Sequence, residues 1–137
     1  MTSKEYLKNI PVMDRLINCK LRQLEKLKEE STRTSSVISD MPRSDSPNLQ
    51  RMEETIVKML DLEAEINSDI DRLVSMKRIA SEAINKLTNP DQRMVLELRY
   101  LCREKWPSIA DEFGYSMDNV FRIHRAALKN IQLPESF

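Results

Sequence analysis

Trp106-Pro107-Ser108-Ile109-Ala110-Asp111-Glu112-Phe113-Gly114-Tyr115-Ser116-Met117-Asp118-Asn119-Val120-Phe121-Arg122-Ile123 carries the only glycine of the chain between two amphipathic runs. Pro107 fits the first turn of a helix, where its missing N–H leaves no bond unmade. Ile109 and Phe113, four apart, share an inward face, and Ala110 is small enough to let two helices cross closely. Gly114 falls where the first helix must end in a left-handed residue. Ser116 then caps a second helix with Asp118 in its positive first turn. Val120 and Ile123 return to the core. A helix, a glycine turn and a capped second helix over about twenty residues follow the plan of a helix-turn-helix.

The second helix also predicts a face. At roughly 100° per residue, Asp118, Arg122, Arg125 and Lys129 share an outward stripe, with Met117 and Phe121 along one edge. Ile123 and Ala127 point the other way, with Val120 nearby. In a DNA-reading helix, Arg122 and Arg125 donate paired bonds to guanine or hold phosphates, Asp118 accepts from a cytosine amino group, and Phe121 and Met117 touch thymine methyls. Lys129, with Arg99 or Arg103, anchors phosphates. The structural alternative is a solvated face on which Arg122, Arg125 and Lys129 complement the helix dipole. The cap, glycine and turn ahead of the stripe favour DNA. The predicted DNA-binding set is Ser116, Met117, Asp118, Phe121, Arg122, Arg125 and Lys129. The single histidine, His124, lies between core and outward face and is read as packed or phosphate-facing. Trp106 is expected to wedge its helix onto the Asp91–Cys102 segment. Tyr115 either packs into the core or reaches a phosphate.

Working back toward the N-terminus, Thr88-Asn89-Pro90 ends a long predicted helix that begins near Leu49. Positions 52, 56, 59, 63, 66, 70, 73, 77, 80, 84 and 87 alternate steps of four and three, and nine of these eleven are apolar. The two exceptions are Glu63 and Lys77. This is a coiled-coil seam. A helix about 58 Å long is not stable alone in water, so the seam must be covered, by the first helix folding back, by a second copy of the chain, or by both. The first helix is expected over Ser3 to Glu30, with Ser3 as N-cap and Ile10, Met13, Ile17, Leu24 and Leu27 on its stripe. Pro11 either kinks it or marks its start. Ser31 to Asn48, rich in serine and threonine with Pro42 and Pro47, reads as the connecting loop.

Composition bounds the partners. The 137 residues carry 22 basic and 22 acidic side chains, so the whole chain does not advertise a polyanion partner. Asp91 to Phe137 holds seven of each sign, so charge for DNA must be concentrated on one face. Cys19 and Cys102 form no metal-ligand pattern and are read as free, buried or half-buried thiols. There is no signal-peptide pattern, and no apolar run approaches the roughly 20 residues of a membrane span, so the cytoplasm is expected and a membrane partner is not. With no glycine-rich phosphate loop, histidine pair or metal cluster, no enzyme activity, cofactor or metal is expected.

The run from Ile109-Ala110 through Gly114-Tyr115-Ser116 to Val120, followed by Ala126-Ala127-Leu128-Lys129, resembles region 4 of bacterial sigma-70-type factors. The resemblance implies a second helix that reads promoter DNA through Met117, Asp118, Phe121, Arg122 and Arg125. Met117 and Phe121 are apolar where sigma factors usually carry charge. Lys4-Glu5-Tyr6-Leu7, Asp14-Arg15-Leu16-Ile17-Asn18, Ser39-Asp40-Met41-Pro42-Arg43, Asp61-Leu62-Glu63-Ala64-Glu65-Ile66-Asn67, Asp71-Arg72-Leu73 and Leu98-Arg99-Tyr100-Leu101 resemble small phage and prophage proteins akin to transcriptional activators of the ArpU and RinA kind. This resemblance implies a phage-type regulator.

The sequence therefore predicts an all-α chain. Residues 1–88 form a long antiparallel helical hairpin, or coiled coil, with a loop at about 31–48, and residues 89–137 form a small helix-turn-helix unit. The expected function is a sequence-specific DNA-binding transcriptional regulator, an activator of phage genes, working as a dimer on double-stranded DNA with half-sites roughly 34 Å apart. RNA polymerase is a further expected partner. The competing reading is an interaction module whose long helices bind RNA polymerase or another phage protein without reading DNA.

Overall fold

The computed structural model describes residues 2–39 and 47–134. Five α-helices follow in order, α1 (Ser3–Ser39), α2 (Pro47–Asn85), α3 (Pro90–Leu96), α4 (Trp106–Phe113) and α5 (Met117–Asn130). A π-helical turn, Glu97–Leu101, continues α3, and no strand occurs among the described residues.

Helix α1 is capped one residue earlier than expected. The Thr2 amide donates to Glu5 Oε2 at 3.1 Å and the Glu5 amide donates to Thr2 Oγ1 at 3.2 Å, a reciprocal capping box in place of the Ser3 cap. The helix passes through Pro11 rather than starting there. Proline cannot donate to the carbonyl of Leu7, and the helix tolerates this where Tyr6, Leu7 and Ile10 are all fully buried.

The expected loop at 31–48 is too long at both ends. Helix α1 runs on to Ser39, α2 begins at Pro47, and residues 40–46 lie outside the described part. The Thr32 hydroxyl donates to the Lys28 carbonyl at 3.0 Å, which lets a loop-favouring side chain sit inside a helix. No proline falls between Pro11 and Pro42, and Pro47 stands at a first helical position, where its ring is already shaped for the turn.

The contacts divide the chain into two units. One comprises Met1–Asp14 with Arg72–Phe137, the other Arg15–Asp71. In the first, Tyr6, Leu7 and Ile10 of α1 are buried, as are Met76, Ala80, Ala83 and Ile84 of α2. The Tyr6 hydroxyl donates to the Met76 carbonyl at 3.4 Å. Beyond α2 the chain tightens through short-range bonds from Lys86 and Leu87 to the Ala83 and Ile84 carbonyls, and buried Leu87 ends the stripe.

In the second unit, Ile17, Leu24 and Ile66 are buried, and Lys20 Nζ lies 2.5 Å from Asp69 Oδ2 and 3.9 Å from Glu65. The hydrogen bond to Asp69 raises the Lys20 pKa and keeps the ammonium charged. Burial in this unit is incomplete. Leu16, Leu21, Ile56, Val57, Leu60 and Ile70 are all at least 39% exposed. Ile56 and Ile70 belong to the predicted seam, so that stripe is covered along one edge only. Cys19 and Cys102 are free thiols, but both are exposed rather than buried. Among the described residues no helix is long and apolar enough to cross a membrane.

Candidate nucleic-acid interface

The C-terminal helices are built around caps. Asn89 Oδ1 accepts from the amides of Asp91 and Gln92 at 2.9 and 3.2 Å, so α3 begins on a capping asparagine with Pro90 behind it. The Asp91–Cys102 segment is helical and changes pitch midway. The Cys102 amide reaches the Glu97 carbonyl at 2.9 Å, a five-residue spacing, and Arg103 follows with a positive φ of 61°. Val95, Leu96 and Tyr100 are buried along this stretch, whereas Met94 is 41% exposed.

Gly114 adopts φ 69° and ψ 28°, the left-handed conformation expected of it. The Tyr115 amide then reaches back to the Ala110 carbonyl at 3.1 Å and the Gly114 amide to Asp111 at 3.2 Å, closing α4. Ser116 Oγ accepts from the Asn119 amide at 3.2 Å and starts α5. Val95, Ile109, Ala110 and Val120 form the buried centre, with Leu98, Trp106, Phe113, Met117 and Ile123 packed around it.

These contacts leave one polar face. Ser116, Asp118, Arg122, Arg125 and Lys129 are exposed, and Met117 and Phe121 are half-buried. Phe121 meets Trp106 edge to face at 5.1 Å, and Met117 packs against the core, so both apolar candidates are partly engaged within the chain. Arg122 Nη2 donates to Asn119 Oδ1 at 2.6 Å, which orients its guanidinium. Among the described residues no carboxylate pairs with Arg122, Arg125 or Lys129.

Beside Arg122 lies a cavity of about 230 Å³ lined by Asn89, Asp91, Gln92, Tyr115, Asn119 and Arg122, among others. The Tyr115 hydroxyl donates to Asp91 Oδ2 at 3.1 Å, and this bond raises its pKa. The ring stacks on Phe113 at 5.3 Å. Asn119 and this polar rim were missed in the sequence. The three-residue spacing of Asn119 and Arg122 on one helix was the available signal.

Two expected phosphate anchors are otherwise engaged. The Arg99 guanidinium lies 4.6 Å from the centre of the Trp106 ring and donates to the Glu104 carbonyl at 3.1 Å. Arg103 is ion-paired with Asp14. His124 is buried, with Nε2 2.7 Å from the Tyr100 hydroxyl and its ring edge to face with Trp106 at 4.7 Å. It packs inside the unit and does not face outward.

The face can donate hydrogen bonds from two guanidiniums and one ammonium on successive turns of one helix, a spacing that suits the edge of a duplex groove. No curated protein and no solved structure matches the chain. The family described as a protein of unknown function, DUF1492, matches residues 45–132 of the 137, and the chain belongs to that family.

Proposed function

We propose that the chain is a phage-type transcriptional regulator that binds double-stranded DNA through α5, works as a dimer in the cytoplasm and activates genes together with RNA polymerase. In this reading α4, the Gly114 turn and α5 are a helix-turn-helix. Helices α1 and α2 pair as an antiparallel hairpin. Tyr6 bonding to Met76 and Lys20 to Asp69 support that pairing, since numbers rise on one helix as they fall on the other.

The observation that carries the proposal is the exposure of Arg122, Arg125 and Lys129 on one face of a helix whose opposite face, Val120 and Ala127, is fully buried. Arg122 and Arg125 read bases, Lys129 holds a phosphate, and Ser116 and Asp118 sit at the helix start, where it enters the groove. Met117 and Phe121 contribute only their exposed edges, toward thymine methyls.

Selection of bound DNA from a random pool, followed by gel shifts on the enriched sequence and on promoters adjoining the gene, tests this. A defined sequence and an affinity that falls steeply with salt are expected, because each phosphate contact releases counterions. Failure to enrich any sequence, together with retention of RNA polymerase or a phage protein on the intact chain, selects the interaction-module reading, which the exposed apolar side chains of Arg15–Asp71 favour.

A further inference from the structure

Helix α2 has a second stripe beside the buried one. Leu60 is 60% exposed, Ile56 40% and Ile70 39%, and Asn67 is also exposed, with Glu63 half-buried between them. Steps of four, three, four and three separate these positions, a coiled-coil spacing that nothing among the described residues covers completely. We propose that this stripe binds the same stripe of a second copy, with the two α2 helices antiparallel. The proposal deepens the dimer reading above and does not depend on DNA binding.

The occupant is identified by complementarity. In an antiparallel coiled coil each seam residue faces one residue of the other copy, and the numbers of facing residues add to a constant. With the two-fold axis level with Glu65, Leu60 faces Ile70 of the second copy, and Glu63 faces Asn67. The carboxylate accepts from the amide N–H, so two polar groups in the seam satisfy each other. Counted along the sequence of α2, the same register sets Ile56 opposite Val74 and Glu53 opposite Lys77.

Other arrangements lack this match. A parallel pair sets Glu53, Glu63 and Lys77 each against its own copy, three like-charge contacts in one seam. Sliding the antiparallel pair by one heptad sets Lys77 against Leu60 and Glu63 against Val74. One arrangement satisfies every polar position, so the polar residues fix orientation and register while Leu60, Ile70 and Ile56 supply the apolar burial.

The test uses the full chain without DNA, so its failure is separable from failure of the DNA reading. Sedimentation at micromolar concentration is expected to give twice the chain mass, and Leu60→Asp, at a position exposed in the single chain, is expected to give one chain mass with unchanged helix content. In a Cys19→Ser, Cys102→Ser background, chains carrying Leu60→Cys mixed with chains carrying Ile70→Cys are expected to oxidise to the mixed disulfide. A wild type of single-chain mass overturns the proposal. So does a Leu60→Cys chain that links to itself more readily than to the Ile70→Cys chain.

Discussion

The Tyr100 hydroxyl lies 2.7 Å from Nε2 of His124, and both side chains are buried. Burial raises the Tyr100 pKa, so the phenol keeps its proton and shares a hydrogen bond with a neutral imidazole. Burial also pushes His124 down to about 4, with the charges of Lys4, Arg99 and Arg125 adding to the effect. The unfolded chain takes up this proton near pH 6.5 and the folded chain only near pH 4. Stability is therefore complete above pH 6.5 and falls as the pH drops from 6.5 toward 4, by on the order of 3 kcal/mol from this group. Urea unfolding at pH 7.5 and pH 4.5 is expected to show the loss, and His124→Phe is expected to reduce it. Equal pH dependence in that variant would assign the effect elsewhere.

Gly114→Ala tests the turn. A Cβ at Gly114 meets nothing within 4 Å, so the cost is the left-handed backbone alone, about 1 kcal/mol. Gly114→Asn is expected to cost less, since asparagine tolerates that conformation. Thermal unfolding ranks the three proteins, and a cost for alanine well above 2 kcal/mol would point to a clash instead.

Ser116→Ala removes the bond to the Asn119 amide and is expected to destabilise the fold by about 1 kcal/mol. Ser116→Asp, which retains an acceptor at the helix start, is expected to restore most of this. An alanine variant as stable as the wild type in denaturant would show that solvent caps the helix equally well.

Arg122→Ala and Arg125→Ala are expected to weaken binding to the selected DNA by about 1–3 kcal/mol each, with little change in melting temperature because both side chains are exposed. Asn119→Ala releases Arg122 from its 2.6 Å bond and is expected to relax base preference at one position. Lys129→Ala is expected to weaken all sequences alike and to flatten the salt dependence. Fluorescence anisotropy on matched and mutated sites separates these outcomes, and a double arginine variant with wild-type affinity would remove α5 from the interface.

Trp106→Ala is expected to be the most damaging of these single changes, at about 3 kcal/mol. It removes the contacts to Phe121, His124 and the Arg99 guanidinium together. Denaturant titration measures it, and Trp106→Phe is expected to recover part of the loss.

Local chemistry is what could be read in advance. Gly114, Ser116 and Asn89 act on their own turns, through bonds to residues two to five positions away, so sequence alone placed both turns and the start of α5. The exposed stripe of Asp118, Arg122, Arg125 and Lys129 followed from the period of one helix for the same reason. The extension of α1 through Thr32 to Ser39 was hidden, because serine and threonine favour loops on average but also bond back into a helix already in progress. The π turn was hidden as well. It shifts the helical phase by one residue beyond Leu96, in the turn where Tyr100 is buried, and no local pattern announces it.

Residue spacing thus determined where helices lie and which side of each is apolar, because a helix is closed by bonds within its own segment. Only the tertiary structure decided which cations stay open. Arg99 turned inward over Trp106, Arg103 found Asp14 far away in sequence, and Arg122 kept its head outward on Asn119. These fates depend on which side chains arrive from distant segments, and that is settled only when the elements pack.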